Sequence, residues 1–335
     1  MAKRVCILHV GGTIGMALTE KGWVPAKGFV ERFLSSIEAR PALPDWELHR
    51  LEPLLDSANM WPADWVRIAA EIVRLYDDYD GFVVLHGTDT MVYTASALSY
   101  LLRGLAKPVV MTGAQLSLQD VRSDGREQIV TAMLLATMPI PEVSLYFGQR
   151  LFRGNRAQKI HNHDFVAFAS GNLRPLAHVG VRIDVRWDLL LKPGAGVPRH
   201  VELERDPHVI ALRVFPGMSE LLLRRVLMQP VDGVVLETYG TGTFPSQQAG
   251  LVDALSEAIA GGTVVVNCSQ CHSGRVSQEL YGTGRALADI GVVSGHDMTP
   301  EAALTKLYCL MGAGRGTDEV RARMTEDLAG EITVL

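Results

Sequence analysis

Val5-Cys6-Ile7-Leu8-His9-Val10-Gly11-Gly12-Thr13-Ile14-Gly15 sets an unbroken apolar run against a pair of glycines and a hydroxyl residue. The same order returns in Gly81-Phe82-Val83-Val84-Leu85-His86-Gly87-Thr88-Asp89-Thr90. Short, continuous, β-branched-rich runs of this kind suit strands covered on both faces. Between the two, Pro62 opens a stretch in which Trp65, Ile68, Ile72 and Leu75 share one helical face. A helix from about Asp89 to Leu102, a strand at Pro108–Met111, a helix at Arg126–Met138 and a strand at Val143–Phe147 continue the alternation. The pattern predicts an α/β fold, with βα units forming a mostly parallel, doubly wound sheet in a larger N-terminal domain.

From Leu191 to Pro207 the alternation lapses, and Lys192-Pro193-Gly194-Ala195-Gly196-Val197-Pro198 is rich in chain-breaking residues. The expected organisation is a larger N-terminal domain over residues 1–190, a linker over 191–207, and a smaller C-terminal α/β domain over 208–335. In that last part the reading gives a strand at Val209–Val214, a helix near Glu220–Leu227 and a strand at Gly233–Leu236. A helix at Gln247–Ala260 and a strand at Thr263–Val266 follow. A chain of 335 residues exceeds what one core usually organises. Its 47% hydrophobic and 21% charged residues are the balance of a globular enzyme. A net charge of −5 with no Lys or Arg run argues against nucleic acid or an anionic membrane as partner and favours a small molecule. Four cysteines suit a reducing compartment, and no uncharged apolar run reaches membrane-spanning length, so a cytoplasmic location is expected.

In open parallel sheets ligands collect at the carboxyl ends of the strands. Here those ends carry Gly11-Gly12-Thr13-Ile14-Gly15 and His86-Gly87-Thr88-Asp89-Thr90. Glycines let the backbone approach a ligand and aim N–H groups at it, and a hydroxyl beside such donors suits acyl transfer. Taken singly, each segment reads as a tight turn with a helix cap; the repetition favours a site. A threonine hydroxyl is a weak nucleophile that needs a nearby activator, and no Gly-x-Ser-x-Gly elbow is present. Asp89 and Lys159 are the candidates, although on spacing alone Lys159 reads as a solvated surface lysine. Cys268-Ser269-Gln270-Cys271-His272 has C-x-x-C-H spacing, but it follows a buried strand and lacks a second ligand pair. His161-Asn162-His163-Asp164 reads as a polar loop, and no metal site is expected.

Gly11-Gly12-Thr13-Ile14-Gly15-Met16 and His86-Gly87-Thr88-Asp89-Thr90 resemble the two signature segments of bacterial-type asparaginases. Gly81 to Leu101, Arg122-Ser123-Asp124-Gly125, Arg153-Gly154-Asn155-Arg156, Val264 to Cys271 and Asp297 to Leu307 resemble the cytosolic type I branch. The resemblance implies an L-asparaginase that hydrolyses L-asparagine to L-aspartate and ammonia through a threonyl ester on Thr13. It implies a second catalytic cluster of Thr88, Asp89 and Lys159. Substrate would be bound by Ser57, at its α-carboxylate, by the adjoining Asp56, and by Thr88 and Asp89, with Asp89 at the α-ammonium. Neither metal nor organic cofactor is implied. The expected assembly is a homotetramer or homodimer in which one subunit's C-terminal domain completes its neighbour's site.

Trp23, in Glu20-Lys21-Gly22-Trp23-Val24-Pro25, stands where relatives often carry a tyrosine, and an indole cannot relay a proton as a phenol can. Tyr281, in a glycine-flanked loop of the C-terminal domain, is the candidate proton relay; packing at a dimer interface is the competing reading. Two other functions compete with this one. The amidase subunit of a tRNA-dependent amidotransferase normally has an extra N-terminal domain and an RNA partner, which the acidic balance disfavours. A non-catalytic asparagine sensor would tolerate loss of the hydroxyls at positions 13 and 88, and both are present.

Overall fold

The computed structural model describes residues 3–20, 22–26, 28–38, 40–228 and 230–334. Lys21, in the segment that carries Trp23, lies outside them. The chain divides into two compact units. The first comprises residues up to 170 together with 174–200, and the second comprises 171–173 and the chain from 201 onward.

The first unit begins with β1 (Arg4–Gly11), the hairpin of β2 (Met16–Thr19) and β3 (Gly22–Pro25), α1 (Phe29–Ile37) and β4 (Asp45–Leu55). Then come α2 (Pro62–Arg74), β5 (Gly81–Leu85), α3 (Met91–Leu101), β6 (Val109–Thr112), α4 (Gly125–Leu135) and β7 (Val143–Phe147). The chain continues through β8 (Arg150–Arg153), a small hairpin of β9 (Gln158–Lys159) and β10 (Phe168–Ala169), then β11 (Ala177–Val179) and β12 (Ile183–Val185). Eight of these strands form one sheet in the order β12-β11-β8-β7-β6-β5-β1-β4. From β7 to β4 every pairing is parallel, as the apolar runs predict. At the other side β8, β11 and β12 extend the sheet antiparallel. The reversal occurs at Gly148-Gln149, whose φ angles of 56° and 65° match the twist of a tight hairpin.

β5, β6 and β7 are buried along their whole length, and β1 is buried from Val5 to Gly11. The edge strand β4 has no fully buried residue and carries charge, including Glu47, which pairs with Arg4 across the ladder at 2.8 Å. Charged edges of this kind discourage pairing with another chain. Arg199–His200, within the segment read as a linker, pair with Leu102–Arg103 of the first unit.

The second unit contains β13 (Val209–Arg213), α5 (Glu220–Val226), β14 (Gly233–Thr238), α6 (Leu251–Ala260) and β15 (Val264–Ser269). It ends with α7 (Gly282–Asp289), β16 (Val293–Ser294), α8 (Pro300–Gly312) and α9 (Thr317–Met324). Its sheet is four-stranded and parallel, in the order β13-β14-β15-β16, and two apolar clusters fill its core. Helix α6 starts at Leu251 and not near Gln247, because Gly250 caps it in the left-handed region at φ 78°. On α8, Lys306 is wholly buried and pairs with Glu331 at 2.6 Å, also donating to the carbonyls of Met324 and Glu326. That pairing ties the last described segment to the core.

Candidate active site

Because β4, β1 and β5 are adjacent and parallel, their carboxyl ends lie side by side, and each runs into a polar segment. After β1 the chain turns at Gly12, φ 94°, whose N–H donates to the Leu55 carbonyl at the end of β4 at 3.1 Å. Thr13–Gly15 then form a single 3₁₀ turn, with Thr13 half-buried. No side chain fits at position 12: a Cβ would stand 2.4 Å from the amide nitrogen of Gly87. None fits at position 87 without displacement, since a Cβ there would stand 2.4 Å from Ser57 Oγ. The glycines are therefore the means by which three strand ends come into contact. Thr90 fastens the arrangement by donating from Oγ1 to the Ser57 carbonyl at 2.8 Å.

Ser57, 2% exposed, and Thr88 are buried, whereas the Asp89 carboxylate is open to solvent. Lys159 arrives from β9, which pairs with β10 and, among the described residues, stands outside the eight-stranded sheet. Its Nζ donates to Thr88 Oγ1 at 2.9 Å and to Asp89 Oδ1 at 2.6 Å. With a side chain only 17% exposed, Lys159 is not the solvated lysine that spacing alone suggests. Asp56 uses Oδ1 to accept the Ala58 N–H at 3.1 Å, which caps the short turn at Ser57–Asn59 and accounts locally for an aspartate there. Tyr281 lies on the second unit, at the residue before α7, with its side chain exposed. Trp23 faces Leu18 across the β2–β3 ladder, and both are exposed.

Sequence reasoning missed two groups beneath this site. His9, buried on β1, packs against Gly15, where a Cβ would stand 3.0 Å from the imidazole. Neither of its ring nitrogens has a partner among the described residues. His86, at the end of β5, is also buried, and its Nδ1 lies 2.7 Å from the Gly87 carbonyl oxygen. Burial pushes both imidazoles down to about 4, so both are neutral near pH 7. Their signal was position alone: each ends an apolar strand directly before a glycine turn or one residue short of it.

The resemblance segments acquire separate structural reasons. Asp124 accepts the N–H groups of Gln115 and Leu116, each at 3.0 Å, which orders the loop from residue 113 to 124. That loop in turn holds the turn that begins at Thr13, through Leu118 N–H to the Ile14 carbonyl at 3.1 Å and Ser117 Oγ to the Met16 carbonyl at 2.6 Å. Arg153 is buried in an ion pair with Glu142 at 2.6 Å. All four cysteines are free; Cys268 is buried, with its thiol pKa raised by desolvation, and Cys271 is exposed. Among the described residues no three His, Cys, Asp or Glu side chains gather as a metal-ligand set. Among them, too, no helix is long and apolar enough to cross a membrane.

Two family descriptions match the chain: "Asparaginase, N-terminal" over residues 4–191 and "Glutaminase/Asparaginase C-terminal domain" over residues 208–324. Over 340 residues it is 45% identical to L-asparaginase 1 of Escherichia coli strain K12, covering 99% of this chain and 98% of that protein. It is 40% identical to the L-asparaginase of Dirofilaria immitis, covering 98% of this chain and 60% of that protein. The crystal structure of L-asparaginase I from Vibrio cholerae superposes with a TM-score of 0.91 at 43% identity, covering 100% of both chains.

Proposed function

The chain belongs to the asparaginase family, in its type I branch, and is an amidohydrolase; on that premise we propose that it hydrolyses L-asparagine to L-aspartate and ammonia, with Thr13 as nucleophile. The observation that carries this reading is the contact of Gly12, Gly87 and Ser57 at three strand ends, beside a lysine bonded to both Thr88 and Asp89.

Thr13 Oγ attacks the carbonyl carbon of the side-chain amide, the C–N bond breaks, and the hydroxyl proton is passed on so that nitrogen leaves as ammonia. Water then attacks the resulting ester, regenerates the Thr13 hydroxyl and releases aspartate. Since Lys159 donates to Thr88 Oγ1, the hydrogen of that hydroxyl is free to point at substrate or at the attacking water. Lys159 engages Oδ1 of Asp89, which leaves Oδ2 for the substrate's α-ammonium. Ser57 Oγ, pressed against Gly87, serves the α-carboxylate. The scheme calls for no metal or organic cofactor. With an indole at position 23, the phenol of Tyr281 from a neighbouring subunit of a homotetramer or homodimer is the proposed proton relay. The free cysteines and the likeness to type I relatives support a cytoplasmic location.

Ammonia release from L-asparagine, L-glutamine and D-asparagine tests the substrate. Thr13→Ala and Thr88→Val should each lower turnover by about three orders of magnitude with unchanged circular dichroism. Full activity in either purified variant overturns the assignment.

A further inference from the structure

Two parts of the first unit support the strand ends from outside: the loop from residue 113 to 124, and the β9–β10 hairpin that delivers Lys159. The loop is fixed on both sides. Asp124 accepts the N–H groups of Gln115 and Leu116, and Leu118 and Ser117 bond to the carbonyls of Ile14 and Met16. The hairpin is held less firmly. Its strands pair two residues each, the Ile160 and His161 N–H groups both donate to the Ala167 carbonyl at 2.8 and 3.3 Å, and residues 161–166 are exposed.

One side chain joins the two parts. Gln115 Nε2 donates to the Asp164 carbonyl at 2.9 Å, and among the described residues this is the one hydrogen bond that reaches residues 160–167 from outside the hairpin. Both ends of it are set in advance. Asp124 anchors the Gln115 backbone at 3.0 Å. Asp164 Oδ1 accepts the Val166 N–H at 2.8 Å, and the ring so closed contains the peptide whose carbonyl Gln115 meets. A carbonyl only accepts, so the position calls for a donor of this reach, which Gln supplies and Met of similar length does not.

We propose that Gln115 is a positioning residue for the reaction: it latches the β9–β10 hairpin to the loop that supports the Thr13 turn, and so keeps the Lys159 ammonium on Thr88 and Asp89. The latch presupposes the role proposed above for Lys159, and it makes the two halves of the site one bonded path, from Ile14 through Leu118 to Gln115, Asp164 and Lys159. Its effect passes through the population of closed hairpin. One net hydrogen bond shifts such an equilibrium by about fivefold. Exchange of the hairpin amides scales with the open population and rises by that factor, whereas turnover falls only where the open population is already appreciable.

The test compares wild type with Gln115→Met and Gln115→Lys in the full chain, by amide hydrogen exchange and by turnover against temperature. In Gln115→Met, exchange in a peptide spanning residues 158–169 should rise about fivefold with the β1 peptide unchanged. Turnover should begin to fade at a lower temperature with the melting transition unmoved, and KM should change little, since Ser57 and Asp89 do not sit on the hairpin. Gln115→Lys, whose ammonium can reach the same carbonyl, should restore both readings. In chains that carry Lys159→Met, adding Gln115→Met should have no further effect on turnover. Unchanged exchange in Gln115→Met overturns the latch. Raised exchange with the fading temperature unmoved, or a turnover loss that persists in the Lys159→Met background, overturns the positioning role. Full turnover in Lys159→Met alone is the separate failure of the catalytic cluster, and it removes the positioning role whatever the exchange shows.

Discussion

Acidification from pH 8 to pH 5 should cost the first unit about 2 kcal/mol of stability for each of His9 and His86. Burial holds both imidazoles at about 4 in the folded chain, against roughly 6.5 once unfolded. Between those values the unfolded chain binds protons that the folded chain refuses. Stability is therefore full above the unfolded pKa and is lost as pH falls toward the folded one. At about 1.4 kcal/mol per pKa unit the whole loss is about 3.5 kcal/mol per histidine, of which somewhat over half has accrued by pH 5. All five tryptophans, at positions 23, 46, 61, 65 and 187, belong to the first unit, so their fluorescence reports its unfolding in urea. The informative quantity is a double difference at fixed protein concentration, which cancels the other titrating groups. His9→Leu removes one titrating ring whose nitrogens are unpartnered among the described residues. Wild type should lose about 2 kcal/mol more between pH 8 and pH 5 than this variant does. Equal losses in the two proteins would refute the reasoning.

Gly87→Ala should lower kcat/KM by about two orders of magnitude, because the new methyl displaces Ser57; Ser57→Gly in the same chain should restore backbone spacing but not affinity, as a rise in KM would show. Lys159→Met should cut turnover at least about 100-fold while moving the melting temperature little, since Asp89 is exposed and its ion pair adds little stability. Tyr281→Phe should reduce turnover by about two orders of magnitude with assembly unchanged; retained turnover would mean that the proton leaves by another route, such as water and Thr88.

What could be read from the sequence, and what could not, follows from where each element sits. The central strands β1, β5, β6 and β7 are covered on both faces, so their apolar runs stand out. The edge strand β4 runs Asp45-Trp46-Glu47-Leu48-His49-Arg50-Leu51-Glu52-Pro53-Leu54-Leu55, where charge and a proline hide a strand that is half solvated. Helix α8 has ten of its thirteen residues buried, so no polar stripe reveals its period, although Thr299 before Pro300 is a start signal and does cap it. Thr13, Thr88 and Asp89 were legible because they follow strand ends directly. Lys159 was not legible from spacing, since its partners lie 70 and 71 residues away and meet it only through a hairpin. His9 and His86 passed unnoticed because histidine within an apolar run looks like any other core residue.

Seating Lys159 on a two-residue strand divides the site between elements of unequal durability. Thr13, Ser57 and Thr88 stand at the ends of strands held in the eight-stranded sheet. The β9–β10 hairpin pairs only two residues on each strand and should be the first of these elements to open. On warming, the ammonium should leave Thr88 and Asp89 while the sheet is intact. Turnover would then fade below the melting transition, with tryptophan emission unchanged, and return on cooling. Heat tolerance should then be set by the fraying of a hairpin, and engineering aimed at the sheet should raise the melting temperature without extending the working range, which residual activity measured below the melting transition would check.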